Sequence, residues 1–359
     1  MKAPFPWFGG KRRVAPLVWA ALGDVDNYVE PFAGSLAVLL ERPDSHRRAA
    51  ETVNDRDYYL ANFWRALAAD PEEVAAWCDW PVNEADLFAR HLWLVNEGRA
   101  ELVAGMDADP DWYDTNVAGW WLWGINAWIG SGWCHGTGPH TYDTLEDERQ
   151  LPHLGDAGRG VNRQLPHLGD AGRGVNRKLP HLGDAGRGVN RKLPHLGNRE
   201  PGEAFPQIMG TGPLYDYMWQ LADRLRRVRV CCGDWSRTVT DGALAYGATV
   251  GVFLDPPYLG DVRTKDLYAA DDHHIAHQVR AWCLEHGSDR RLRIVLAGYE
   301  DEHAGRLPGW SMHTYHANKS YGSSNGGGVN DANRHQERLW LSPHCLVGAQ
   351  MSLFGEPTG

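Results

Sequence analysis

Apolar and polar positions along this chain follow two rhythms. Short, nearly continuous apolar runs bounded by Gly, Pro and Asp read as strands at 27–31, 49–53, 228–232, 249–254, 293–297, 312–316 and 337–342. Longer stretches with apolar residues at helical spacing read as helices. Tyr59 to Leu67 is one. Val117 to Ile129 is another, largely buried and ended by Gly130-Ser131-Gly132. Leu36-Ala37-Val38-Leu39-Leu40, just after a Gly-containing turn, reads as the start of a third. The run Thr249-Val250-Gly251-Val252-Phe253-Leu254 has no polar alternation, as expected of a parallel strand buried on both faces. The pattern is that of an α/β, doubly wound sheet.

Candidate chemistry lies at the carboxyl ends of these strands, where open α/β sheets bind ligands. Asp255-Pro256-Pro257-Tyr258 ends the 249–254 run. The prolines cannot continue a ladder and stiffen the turn. Asp255 and the Pro256 carbonyl can both accept hydrogen bonds from one amino group, and Tyr258 offers a flat face for stacking. A strand stop with an Asp turn and a packed Tyr has the same sequence, so these four residues alone leave both readings open. Tyr28-Val29-Glu30-Pro31-Phe32-Ala33-Gly34-Ser35 is a strand and tight turn, which brings backbone N–H groups near a ligand. Glu30 is available there for a cationic or hydroxylated ligand. Asp55 follows the next strand, where doubly wound folds hydrogen-bond a ribose. Its alternative role is an ordinary helix N-cap.

Composition changes the picture little. The chain has 359 residues, 43% hydrophobic and 23% charged, enough for two domains of an ordinary globular protein. Its six cysteines show no Cys-x-x-Cys pair and no zinc spacing, so reduced thiols, no metal and a cytoplasmic setting are expected. There is no signal peptide and no apolar run near the roughly 18 residues of a membrane span. A net charge of −10 argues against a protein that coats nucleic acid nonspecifically, while allowing a local basic face.

The middle of the chain is unusual. Trp120, Trp121, Trp123, Trp128 and Trp133 stand close together, most of them expected in a core. Trp133 and His135, beyond the helix, are the expected surface positions. Then Leu-Pro-His-Leu-Gly recurs at 151, 165, 179 and 193, a period of 14. Residues 151–199 hold nine basic and three acidic side chains, a tract of +6 in an acidic protein. The four repeated histidines lack a local Cys or carboxylate partner set for a metal. A stacked solenoid needs a buried face on each repeat, and each unit offers only three strongly apolar residues. A Gly-rich basic excursion is the reading favoured here.

Taken in order, the motifs resemble the Dam-type DNA adenine N6-methyltransferases. They are Trp7 to Lys11 (Trp-x-Gly-Gly-Lys), Glu30 to Gly34, Asn54-Asp55, Cys232-Gly233-Asp234-Trp235 and Asp255 to Tyr258. Val295 to Tyr299, Ser323 to Gly327 and the closing Glu337-Arg338-Leu339-Trp340-Leu341 follow. The resemblance implies a mostly parallel, seven-stranded Rossmann-like sheet with one antiparallel strand. It implies a catalytic domain from 1–65 and 229–343, an inserted, mainly helical target-recognition domain at 66–228 carrying the repeats, and a loose tail at 344–359. The cofactor would be S-adenosylmethionine, held by Glu30, Pro31, Phe32 and Gly34, with Trp7 and Lys11 closing the site. Asp55 would take the ribose hydroxyls and Asp234 the cofactor's adenine. The catalytic set would be Asp255, Pro256 and Tyr258 acting on a flipped adenine. The implied partner is double-stranded DNA, for a monomer or weak dimer working in restriction-modification, phage protection or host marking. The repeats displace the family's DNA-reading loop, so no base-reading residue carries over. Rival readings are cytosine N4 methylation, methylation of RNA or a protein amide, and a non-catalytic DNA-binding relative.

Overall fold

The computed structural model describes residues 1–7, 10–46, 49–109, 111–128, 133–134, 212–257, 269–315 and 337–346. The repeats, Tyr258, His135, Ser323 to Gly327 and the tail from Val347 lie outside them. The chain divides into two compact units: Gly9–Arg56 with Arg227–Gly359, and Met1–Phe8 with Asp57–Arg226.

The first unit is a seven-stranded, mostly parallel sheet. Its strands are β1 (Asn27–Glu30), β2 (Ala50–Asp55), β3 (Val228–Cys232), β4 (Val250–Leu254), β5 (Leu292–Tyr299), β6 (Ser311–Thr314) and β7 (Glu337–Leu341). They run in the order β3-β2-β1-β4-β5-β7-β6. β1 pairs in parallel with β2 on one side and β4 on the other, so the strand order reverses beside β1. Only β7 is antiparallel, inserted between β5 and β6. β4 is buried along its whole length, which explains its unbroken apolar pattern. Val250, Val252 and Leu254 pack with Ile294, Leu296, Val279 and Trp340 in one core. The helices of this unit are α1 (Ala15–Leu22), α8 (Ala269–His286) and the short α9 (Glu300–His303).

The helix expected from Leu36 to Leu40 does not form. The segment makes turns and a single 3-10 turn at Leu39–Glu41. Gly34 and Leu36 both take left-handed backbone conformations, with φ of 47° and 56°, and this curls the chain away from a helical path. The Val38 carbonyl accepts from Trp19 Nε1 at 2.7 Å as well as from Glu41 N, and the Leu39 N–H donates to Glu30, so tertiary contacts pin the segment in this path.

The second unit is helical in its described part. It contains α2 (Tyr58–Ala69), α3 (Pro71–Cys78), α4 (Glu84–Trp93), α5 (Arg99–Ala108), α6 (Thr115–Ala127) and α7 (Pro213–Leu225). A π-helical turn, Leu94–Gly98, links α4 to α5. Four helices begin at a capping side chain: Asp57, Asp70, Asn83 and Asp114 each accept a backbone N–H of the first turn. With Asp114 as its cap, α6 starts at Thr115, two residues before the expected Val117.

The core of this unit is aromatic. Phe5 meets Trp121 edge-on at 5.0 Å and Phe63 at 5.6 Å. Trp133 belongs to this core and not to the surface expected for it. Its Nε1 donates to the Trp121 carbonyl at 3.1 Å, and its ring lies 5.3 Å from Trp128. Gly124 makes room: a Cβ there would fall 1.7 Å from the Trp133 ring.

Candidate active site

Because β3, β2, β1 and β4 are parallel, their carboxyl ends share one edge of the sheet. Three chain reversals meet there. After β1, Glu30 leads into Pro31-Phe32-Ala33-Gly34. After β2 comes Asp55. After β3, Gly233 takes φ 139° and Asp234 caps the 3-10 turn Trp235–Thr238.

Asn54 binds these reversals together. It is buried, and its Nδ2 donates to the Pro31 carbonyl at 3.0 Å and the Gly233 carbonyl at 3.1 Å. Its own carbonyl accepts from Ala33 N at 2.9 Å. The Asp55 carbonyl accepts from Gly233 N at 3.1 Å, and Asp55 Oδ2 accepts from Gly34 N at 2.9 Å. Asp55 is therefore a loop clamp at the strand end. The helix N-cap role falls to Asp57, whose side chain accepts from Tyr59 N. Phe32 stacks on Trp235 at 5.9 Å and 27°. Asp234 is exposed, and its Oδ1 accepts from Ser236 N at 3.0 Å.

Glu30 faces inward. It is 2% exposed, and Tyr28 Oη donates to its Oε2 at 2.9 Å. Burial raises its pKa from 4.5 to about 8 against the lowering effect of the Tyr28 hydrogen bond, and the nearby Asp255 pushes the same way as burial. It anchors the turn through hydrogen bonds from Tyr28 and the Leu39 N–H.

Asp255 leaves β4 beside this edge, half-buried, followed by buried Pro256 and exposed Pro257. Lys11, in the 3-10 turn Lys11–Arg13, reaches it: Nζ lies 3.1 Å from Asp255 Oδ1. Lys11 thus joins the Asp255 side of the site. Trp7 groups with the helical unit, where its ring lies 5.8 Å from Phe5 and 6.4 Å from Trp121. The structure brings together Lys11 and Asp255, and separately Gly34 and Asp55. Asn54, Glu337 and Tyr28 were not read as site residues. Each had a signal, since Tyr28 opens the strand and turn at 28–35, Asn54 stands in Asn54-Asp55 and Glu337 opens the closing strand motif.

The sheet order and the loops at its carboxyl edge define a methyltransferase-type α/β protein. Residues 7–87 match the family model of the D12 class N6 adenine-specific DNA methyltransferases, and this bears out the Dam-type resemblance. The match includes Trp7 to Lys11, Glu30 to Gly34 and Asn54-Asp55, and ends before the Asp255 segment. It supports an adenine-specific DNA methyltransferase as the class of enzyme. No curated protein matches the chain. Among the described residues no group of three or more His, Cys, Asp or Glu is placed to hold a metal ion, and no helix is long and apolar enough to cross a membrane.

Proposed function

We propose that the chain is a site-specific enzyme that methylates N6 of an adenine flipped out of double-stranded DNA, using S-adenosylmethionine. The observation that carries this reading is Asp255-Pro256 leaving β4 beside the β1 turn, at the reversal of strand order, in a chain whose residues 7–87 match the D12 class. The α/β unit is the catalytic part in this reading, and the helical unit with the repeats recognises the target.

The residues at the carboxyl edge fit a charged nucleoside. Asp55 and Asp234 are acceptors at the ends of neighbouring strands, suited to hydroxyl and amino donors. Asn54 fixes their spacing. When bound, S-adenosylmethionine supplies an electrophilic methyl group. Asp255 and the Pro256 carbonyl do the rest of the polar work on the base. The adenine N6 lone pair is delocalised into its ring. Two acceptors on its N–H groups draw the nitrogen toward tetrahedral geometry, and they act most strongly as charge develops in the transition state. Tyr258 stacks on the extruded base, which offsets part of the few kcal/mol that unstacking costs.

Tritiated methyl transfer to DNA, RNA and protein, followed by nucleoside analysis, tests this. Label is expected in N6-methyladenine of DNA alone. Label in N4-methylcytosine, RNA or protein would assign the same amine chemistry to another substrate.

A further inference from the structure

Asp255 does not stand alone. Lys11 is only 7% exposed, and its Nζ lies between two carboxylates: Asp255 Oδ1 at 3.1 Å and Glu337 Oε1 at 3.9 Å. Glu337 opens β7, the antiparallel strand, and pairs with Tyr299 of β5. Its second oxygen, Oε2, accepts from Tyr315 Oη at 2.7 Å, just beyond β6. The strand pairing and the tyrosine therefore fix Glu337 from two directions, with Oε1 turned to the lysine.

A buried ammonium needs a counter-charge, because a low dielectric makes an unpaired one costly. Without Glu337, Asp255 would carry more of the lysine's charge. Asp255 would then be a poorer acceptor for a substrate amine. A second carboxylate on the other side shares the ammonium and limits its hold on Asp255.

We propose that Glu337 is a positioning residue for the transfer step: by sharing Lys11 it holds Asp255 in place and keeps it competent to accept from the base amine. This rests on the methyl-transfer reading given above. Glu337 acts through Lys11 and touches neither base nor cofactor.

Glu337→Gln keeps the shape and the Tyr315 hydrogen bond but removes the charge. The expected result is a fall in kcat of roughly tenfold. The KM values for DNA and for S-adenosylmethionine should stay within about twofold, since the loss is confined to the transition state. In a Lys11→Met background the same change should lower kcat no further, because the route through Lys11 is already gone. An equal fall in both backgrounds, or no fall in the otherwise wild-type enzyme, overturns the proposal. Crystal structures of the wild type and Glu337→Gln give a readout independent of activity. In the variant, Lys11 Nζ is expected to stay on Asp255 and move away from residue 337, beyond the present 3.9 Å, and an unmoved Nζ overturns the proposal. A wild type that transfers no methyl group to DNA overturns the functional reading instead, and the crystal structures then decide the role of Glu337.

Discussion

The two units bury charge with a different emphasis. In the α/β unit, buried and half-buried ionisable groups pair with one another: Lys11 with Asp255 and Glu337, Glu30 with Tyr28, and Arg42 with Glu51 at 3.3 Å. In the helical unit, the buried cation Arg90 is enclosed by rings. Its guanidinium carbon lies 4.4 Å from the Trp123 ring centroid, 5.0 Å from Trp80 and 5.2 Å from Trp120. Its Nη1 has no hydrogen-bond partner among the described residues, and burial lowers its pKa to about 10. The difference is between charge held mainly by hydrogen-bonded partners and charge held mainly by aromatic packing. A carboxylate network holds acceptors in place. An aromatic cage fills space and tolerates the cation it encloses.

The sharpest way to break this contrast is to damage each unit at its centre. Trp121→Ala removes a 2% exposed ring that Phe5, Phe63 and Trp7 all touch. It should cost about 3–5 kcal/mol of stability, read by denaturant unfolding. A loss below about 1 kcal/mol would mean that the aromatic cluster is not the core of the helical unit. Asp255→Ala should act on catalysis instead. Turnover should fall about 10²–10³-fold, with S-adenosylmethionine affinity little changed in calorimetry. Asparagine there should be less damaging, since its carbonyl still accepts. Near-normal methylation by the alanine variant would remove Asp255 from the mechanism.

Smaller effects refine the picture. Asp55→Ala should weaken S-adenosylmethionine binding by about 1–3 kcal/mol, measured by calorimetry. Unchanged affinity would leave Asp55 only its clamp on Gly34. Glu30 predicts a pH dependence of stability. Its pKa rises from 4.5 to about 8 on folding, so between those values the folded state binds the extra proton. Its contribution is fully present below 4.5 and is lost as pH rises through about 8. The slope is up to about 1.4 kcal/mol per pH unit. Glu30→Gln should flatten that decline in unfolding measurements across the same range, and an identical profile for the two proteins would contradict a buried, proton-binding Glu30. The smallest effect is expected at Arg90→Met. An apolar side chain of similar length in the cage should change stability by less than about 1.5 kcal/mol and leave methyl transfer intact. Lys11→Met, the same replacement in the other unit, should lower kcat.

What could be read in advance follows from the reach of each interaction. The strand at 228–232 and the ends of β4 and β7 were legible because short apolar-rich runs and the Asp-Pro-Pro stop are local signals. Asp57 rather than Asp55 as helix cap was not legible, since both precede the same apolar pattern and only the backbone path separates them. The helix expected at 36–40 failed for the same kind of reason. Its local pattern is helical, yet Gly34 and Leu36 turn left-handed and contacts with Trp19 and Glu30 pin the path that results. Trp133 looked exposed because it follows a glycine-rich turn, but the Gly124 gap that receives it exists only once α6 is formed.

The sequence by itself determined the α/β class, the sheet's strands and the acceptors at their ends. Each of these depends on residues close together in the chain. Only the tertiary structure decided what those acceptors face. Lys11, Asp255, Tyr315 and Glu337 are scattered from one end of the chain to the other, and no local pattern records that they meet. The sheet brings them together by pairing β4 with β5 and β5 with β7. Burial then makes their charges interdependent, because removing water strengthens every interaction among them.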